Sequence, residues 1–186
     1  MLSERDIELA HPDAFDLVWA RGVLEPLPDP TAALRLMCAA LRPGGWLFAE
    51  AADWASLRHL SGPDAGRARR LYAKFLEALG ASGFQPALGV GLGDELRTLG
   101  LREVRVQGRT VEWCGAGDQP SDWAYRSAIE RGLWRVTARG FLSAAEADDL
   151  LRTVASPDFR AITLIHFAAW GRKAGQSGTS GAPIAE

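Results

Sequence analysis

The stretch Phe15–Asp53 constrains the fold of this 186-residue chain more than any other feature of its sequence. Two short apolar runs, Phe15–Ala20 and Trp46–Ala51, lie near its ends. Continuous apolar runs of this length favour strands that are buried on both faces of a parallel sheet. A helix fits between them, and a strand, a helix and a strand in this order predict a right-handed crossover that joins two parallel strands.

The predicted helix has signals at both ends. Asp29 is the expected N-cap, and Pro30 lies in the first turn, where a backbone N–H is not needed. Apolar residues from Leu34 to Leu41 follow at helical spacing. Pro43–Gly45 is expected to end the helix, because proline cannot continue it and glycine accepts a positive φ.

The second half of the chain also alternates between helix and strand patterns. We expect a strand over Leu101–Val106, a loop from Gly115 to Gln119, and a last strand over Ile162–Trp170. The expected helices are Arg67–Leu79, a helix that Ser121 caps and that runs to about Val136, and one opened by the capping box Ser143–Glu146.

Gly89, Gly91 and Gly93 imitate a cofactor-binding turn through their G-x-G-x-G spacing. A cofactor cradle needs a buried strand before it and a long helix after it. Gln85-Pro86 precedes the glycines, so we interpret them as a flexible connection into a short helix.

The composition excludes several classes of protein. The chain is 47% hydrophobic, which suits one globular domain, and its net charge of −2 without a long basic run argues against nucleic acid as a partner. Cys38 and Cys114 do not form a metal site or a disulfide framework. We see no signal peptide and no apolar run long enough to span a membrane, so the expected location is the cytoplasm.

The wording of the opening stretch resembles a known family. FDLV, R-x-V-L, L-P-D-P and A-L-R-P-G-G, then an apolar strand that ends in an acid, resemble class I methyltransferases that use S-adenosylmethionine (SAM). The resemblance is closest to the small-molecule group with ubiquinone-biosynthesis-like members, and it runs from about Asp6 to Arg172. It implies an α/β fold, an incomplete Rossmann-like methyltransferase sheet that keeps strands 4-5-7-6, with the last strand antiparallel and helices at its sides. The implied organisation is a methyltransferase-like domain over residues 1–172 without its N-terminal cofactor-binding half, and a disordered tail over residues 173–186.

The resemblance also implies where the cofactor would bind. Asp6 and Ile7 resemble the pair beside the adenine of SAM. Ala20, Arg21 and Gly22 resemble the loop after the family's fourth strand, which closes the cofactor pocket. The glycine-rich turn of the family has no counterpart in this sequence.

The expected substrate side follows the family's fifth strand, because ligands favour the carboxyl ends of strands in such sheets. Its candidates are Glu50, Asp53, Trp54 and His59. Pro26 stands where the family often carries a histidine, so we expect no general base there. We assign no catalytic residue and no metal ligand.

The function implied by the resemblance is SAM-dependent methyl transfer to a small organic molecule, largely through positioning of the two reactants. Without the family's first strand, the apolar edge of Phe15–Ala20 would be bare. We therefore expect a homodimer or a partner chain to cover it, and consider a gene fragment, a wrongly placed start or one half of a split enzyme. The alternative functions are a non-catalytic partner subunit of another methyltransferase, and a SAM-independent pocket for a hydrophobic small molecule.

Overall fold

The computed structural model describes residues 12–57 and 60–175. A 3-10 turn over Trp54–Ser56 follows the second strand. In chain order, the helices and strands are β1 (Phe15–Arg21), α1 (Pro30–Ala40), β2 (Leu41–Asp53), β3 (Leu60–Ser61), α2 (Ala65–Ala81), α3 (Leu88–Thr98), β4 (Arg102–Arg109), β5 (Glu112–Cys114), α4 (Pro120–Thr137), α5 (Ala144–Val154), β6 (Arg160–Ile162) and β7 (Ile165–Arg172).

The main sheet has the strand order β1-β2-β7-β4. β1 and β2 run parallel, and β7 is antiparallel to both of its neighbours, β2 and β4. The predicted order 4-5-7-6 is therefore confirmed, with β1, β2, β7 and β4 in the places of the family's fourth, fifth, seventh and sixth strands. The prediction that a helix joins two parallel strands is confirmed as well, through α1, and the right-handed sense of this crossover remains a prediction.

The start of α1 agrees with the sequence signals, and its end does not. Asp29 is the N-cap, and its carboxylate accepts a hydrogen bond of 2.8 Å from the Ala32 N–H. The helix stops at Ala40, and β2 begins at once, so Pro43–Gly45 lies inside the strand. At Gly45 a Cβ would lie 3.0 Å from the carbonyl oxygen of Phe15, so this glycine allows two backbones to approach each other closely.

The prediction that β1 is buried on both faces is wrong. Leu17 and Trp19 are 60% and 59% exposed. β1 is the outermost strand of the sheet among the described residues, and no described helix covers the face that carries these two side chains. Its outer edge is unpaired within residues 12–57 and 60–175, as the resemblance led us to expect.

One face of the main sheet is covered by α1 and α3. Leu34 of α1 and Leu92 of α3 lie against Leu47 and Ala49 of β2, and all four are fully buried. We call this the covered face. Its side chains come from every second residue of β2, as the two-residue period of a strand requires.

The glycines of α3 are part of the helix, so the expected flexible connection is wrong. A Cβ at Gly89 would lie 2.6 Å from the carbonyl oxygen of Ala51, and one at Gly93 would lie 2.5 Å from Cγ2 of Val106. The two glycines therefore let α3 lie close against the sheet. A Cβ at Gly91 would meet nothing within 4 Å.

The opposite face of the main sheet carries large apolar side chains that remain partly exposed. By strand register, these are Leu17, Trp19, Trp46, Phe48 and Trp170, and we call this the open face. The rings of Phe48 and Trp170 stack at 5.6 Å. A parallel strand pair is normally covered on both faces, which makes this bare face unusual.

A second core lies between α2, α4, α5 and a small sheet with the strand order β3-β6-β5, which together form the helical half. Phe75, Leu133 and Leu150 are among its buried residues. The predicted helix Arg67–Leu79 lies within α2, and the predicted strand Leu101–Val106 overlaps β4.

Of the two helix starts predicted from caps in the helical half, one is confirmed and one is wrong. The capping box Ser143–Glu146 opens α5 as predicted. The N-cap of α4 is Gln119 and not Ser121, because Pro120 fixes the start of the helix and the Asp122 carboxylate accepts a bond from the Gln119 N–H.

The last strand begins and ends later than predicted, at Ile165 and Arg172. Arg160–Ile162 pairs with the small sheet, and β7 begins only at Ile165. Between them the buried Thr163 hydroxyl accepts a hydrogen bond of 3.0 Å from the Val111 N–H, which separates the two strands.

In the part of the chain that the structure describes, no helix is both long and apolar enough to cross a membrane. The same residues contain no group of three or more side chains that could hold a metal ion. The domain bounds remain a prediction, and residues 176–186 of the predicted tail lie outside the described residues.

Candidate functional site

The carboxyl ends of β1 and β2 lie side by side because the two strands are parallel. Arg21 is the register partner of Glu50. The Gly22 N–H donates a hydrogen bond of 3.0 Å to the carbonyl oxygen of Glu50, and the backbone then turns at Gly22 with φ +60. This turn fixes the loop after β1 against the end of β2, at the edge where such sheets bind ligands.

Arg21 and Glu50 form an ion pair on the open face at this edge. The Arg21 Nε lies 3.1 Å from the Glu50 Oε2, and their side chains are 69% and 22% exposed. A pair with this much solvent contributes about 1 kcal/mol or less to stability. The pair orients the guanidinium at the mouth of the site.

His166 lies close to this ion pair, and the sequence patterns did not single it out. It is the register partner of Ala52, so its side chain shares the open face with Glu50. Loss of surrounding water lowers the pKa of His166, Arg21 and Arg109 lower it further, and Glu50 opposes them. The ring still has an exposed surface, so the shift leaves a neutral imidazole that solvent or a ligand can reach.

Glu25 is a buried carboxylic acid in the loop between β1 and α1. It is 4% exposed, and its Oε1 accepts a hydrogen bond of 3.0 Å from the Ala52 N–H. Its Oε2 has no hydrogen-bond partner among the described residues. Burial raises the pKa of this carboxyl, although the bond from Ala52 opposes the shift.

Glu25 also connects three segments of the site. Its side chain holds the end of β2, and its carbonyl oxygen accepts a hydrogen bond of 2.8 Å from the Gln85 N–H, ahead of α3. The only sequence signal for this role of Glu25 was that it is a single acidic residue within the apolar run V-L-E-P-L.

Asp53 and Trp54 join the end of β2 to the helical half. The Asp53 Oδ1 accepts a hydrogen bond of 3.0 Å from the Ala55 N–H and so caps the 3-10 turn. Trp54 is 8% exposed, with its ring at 5.5 Å from Phe84, and its carbonyl oxygen accepts a bond of 2.8 Å from the Tyr72 hydroxyl. Both residues hold structure here, and their contact with a substrate remains a prediction.

A cavity of about 10 Å³ lies beside Trp54 in the helical half, lined also by Trp113 and Tyr125. A space of this volume holds one water molecule at most. A cofactor therefore does not bind there, and the edge between β1 and β2 is the better candidate.

The structure thus brings some of the predicted site residues together. Arg21, Gly22 and Glu50 meet at one edge, and Ala20 lies behind them in the covered core. Asp6, Ile7 and His59 lie outside the described residues.

The strand order and this edge define a methyltransferase-like α/β sheet, and the sequence comparison assigns the family. The profile of the methyltransferase domain family matches residues 3–150, which is most of the chain. The chain belongs to this methyltransferase domain family.

Curated relatives include two bacterial ubiquinone biosynthesis O-methyltransferases. That of Thiobacillus denitrificans is 38% identical over 48 residues, and that of Xanthomonas euvesicatoria is 44% identical over 46 residues. The matches cover 26% and 25% of this chain, but 21% and 19% of those relatives. The chain thus matches about a fifth of the length of these relatives.

Two solved structures illustrate the similarity in shape. Phosphoethanolamine N-methyltransferase 2 of Haemonchus contortus, in complex with S-adenosyl-L-methionine, is 14% identical with a TM-score of 0.46, over 88% of this chain and 34% of that one. A SAM-dependent methyltransferase of Archaeoglobus fulgidus is 12% identical with a TM-score of 0.44, over 91% and 64%. The family membership rests on the matched domain and not on these two structures.

Proposed function

We propose that this chain acts in SAM-dependent methyl transfer to a small organic molecule. The observation that carries the proposal is the edge formed by Arg21, Gly22 and Glu50, in a chain that belongs to the methyltransferase domain family. The curated relatives are O-methyltransferases, so a hydroxyl group is the acceptor to test first.

The loop after β1 supplies one wall for the cofactor in this proposal. A Cβ at Gly22 would meet nothing within 4 Å, so a ligand can approach the main chain at this turn. Ala20, Arg21 and Gly22 would hold SAM here, and Asp6 and Ile7 remain predicted contacts for its adenine. When bound, SAM supplies a methyl group on a positively charged sulfur.

The acceptor would lie on the open-face side of the edge. Glu50, Asp53, Trp54 and His59 remain the predicted substrate residues, and we add His166 to them because it shares the open face with Glu50. A neutral imidazole can take the proton of a hydroxyl group as the oxygen gains its methyl group. The low pKa of His166 supports this role, because it leaves the ring unprotonated at neutral pH.

Another polypeptide chain is part of the proposal. A second copy of this chain or a different protein would cover β1, whose outer edge is unpaired among the described residues. The location in the cytoplasm remains a prediction.

A second candidate function is a non-catalytic subunit that completes another methyltransferase. The open face favours it, because five large apolar side chains there lack a covering layer within the described residues. Patches of this kind mark interaction surfaces.

Calorimetric titration with S-adenosylhomocysteine tests cofactor binding, with Gly22→Ala as the site variant and Gly140→Ala as its control. Both glycines have positive φ, +60 and +73, and a Cβ at either meets nothing within 4 Å. The two variants therefore carry a similar backbone strain, but only Gly22 lies at the site.

We expect micromolar binding by the wild-type chain, weaker by roughly tenfold (about 1.4 kcal/mol) in Gly22→Ala and unchanged in Gly140→Ala. Equal losses in both variants would show a general effect of strain. A folded wild-type chain that produces no heat of binding would refute cofactor binding by this chain and favour the non-catalytic subunit.

A further inference from the structure

Among the described residues, β1 is an edge strand without the usual protection against pairing. Its seven residues contain no lysine and no proline, and the charged residues Asp16 and Arg21 lie near its two ends. Phe15, Leu17 and Trp19 project from it with about half or more of their surface exposed. Strands of this kind are templates for another strand.

The sequence of β1 is complementary to itself in an antiparallel arrangement centred on Val18. In that register, Leu17 faces Trp19 of a second copy, and the reverse pair repeats the contact. Apolar pairs of this kind, directly opposite each other, stabilise a sheet.

The ends of β1 also fit in this register. Arg21 faces the aromatic ring of Phe15 in the second copy, where a guanidinium can lie over the ring. Asp16 faces Ala20, so no two like charges meet across the interface. A shift by one residue would place the apolar side chains of the two copies on opposite faces of the sheet, which disfavours that register.

We propose that two copies of this chain associate through antiparallel pairing of β1 with β1, which joins their main sheets into one continuous sheet of eight strands. The chain that covers β1 is then a second copy of this chain. This dimer supplies the covering chain of the proposed function, but it does not require SAM to bind. Dimer formation and cofactor binding can therefore be refuted separately.

The charges of the open face favour this edge-to-edge arrangement over face-to-face stacking. Arg105 and Arg109 of β4 share the open face with Arg21, by register with Trp170 and His166. Stacking two open faces would take these arginine side chains out of water, which costs free energy unless each charge is paired. A two-fold axis through Val18 keeps the arginines of β4 at the far ends of the joined sheet, and two-fold dimers are the commonest symmetric assembly.

Sedimentation velocity is the first test of the dimer. We expect the wild-type chain to be dimeric at roughly 100 µM, a concentration that suits a small interface. Replacing Leu17 and Trp19 together by lysine should weaken the dimer at least tenfold, because both side chains face the second copy. Trp134→Lys is the matched control, since Trp134 is exposed on α4, away from β1, and its loss should leave the dimer unchanged.

Disulfide cross-linking tests the register itself, in a background where Cys38 and Cys114 are replaced by alanine. Opposed residues of an antiparallel pair have Cα atoms about 4.5–5.5 Å apart, within reach of a disulfide. Val18→Cys should therefore cross-link to its own copy. Leu17→Cys should not, because its copy lies two residues further along the strand.

A wild-type chain that stays monomeric at that concentration would overturn the proposal. A dimer that survives the double lysine substitution would overturn it too, as would Leu17→Cys cross-linking as well as Val18→Cys. Circular dichroism of each variant checks that the chain still folds.

Discussion

The two faces of the main sheet differ in side-chain size and in cover, although both are supplied by the same strand. In β2, Leu47 and Ala49 point to the covered face, while Phe48 and Glu50 point to the open face. The covered face uses small side chains and glycines so that α3 can lie close to the sheet. The open face carries aromatic rings and arginines. The helical half packs only on its Ala52–His166 end, and the large side chains further along the strands have no covering layer among the described residues. A sheet buries an apolar face against a second layer, so the exposed part of the open face is a surface that another layer can cover.

The largest expected effect on the free energy of unfolding comes from truncating a leucine on the covered face, compared with truncating one on the open face. Leu47→Ala should lower the free energy of unfolding by about 2–5 kcal/mol, because it leaves a cavity under α1 and α3. Leu17→Ala should change it by about 0.5 kcal/mol or less, because the side chain is exposed. Urea denaturation measures both, at a concentration where the chain is monomeric. Equal losses would contradict the difference between the faces.

The glycines of α3 sharpen the comparison at the covered face. Gly89→Ala should destabilise the protein by about 1–3 kcal/mol, because its Cβ would meet the backbone of Ala51. Gly91→Ala should stabilise it by about 0.5–1 kcal/mol, since alanine favours helix and the position is open. Thermal unfolding of the two variants gives the signs. A stabilised Gly89→Ala would show that α3 does not lie close to β2.

Glu25 lies in the loop between β1 and α1 and accepts a hydrogen bond from the end of β2. Two substitutions distinguish the contribution of this hydrogen bond to stability from that of the buried charge. Glu25→Ala should cost about 1–3 kcal/mol, because the buried Ala52 N–H loses its acceptor. Glu25→Gln keeps an acceptor oxygen and removes the buried charge.

The pH dependence tests this separation through the raised pKa of Glu25. A carboxyl with a raised pKa in the folded state contributes stability below its unfolded-state pKa and loses it as the pH rises. The Gln variant should therefore gain on the wild type between pH 4 and pH 8, as urea denaturation would report. A constant difference over that range would argue against a buried, titrating Glu25.

The smallest expected effect is the titration of His166 on the open face, followed by NMR. The pKa of His166 should lie below the ordinary value near 6.5. Arg21→Ala should raise it by removing a nearby positive charge, and Glu50→Gln should lower it by removing a negative one. Stability linked to His166 is present above the unfolded-state pKa and is lost as the pH falls through the folded-state value. A titration that neither variant moves would place His166 outside this charge cluster.

Local signals in the sequence were sufficient where neighbouring residues decide the structure. Asp29 and Pro30 predicted the start of α1, and the Ser143–Glu146 box predicted the start of α5, because caps depend on residues a few positions apart. The strand order came from the resemblance to the family, since the placement of β7 between β2 and β4 has no local cause.

Sequence patterns failed where a distant segment decides the environment. Gly89 was interpreted as part of a flexible connection because the residues next to it in sequence do not indicate that the backbone of Ala51 lies beside it. Glu25 and His166 both take their significance from Ala52 on β2, one through a hydrogen bond and one through strand register. Arg21 and Glu50 were both predicted site residues, but their contact becomes visible only in the structure, where the parallel strands bring their carboxyl ends together.

The position of β7 has a consequence during synthesis of the chain. β7 fills the space between β2 and β4, yet 111 residues separate the end of β2 at Asp53 from its start at Ile165. Ribosomes add about 5–20 residues per second, so roughly 6–22 s pass before this central strand is made. During that interval β2 has no neighbour on one side, and the nascent chain depends on chaperones or on fast closure of the helical half to avoid association with other chains.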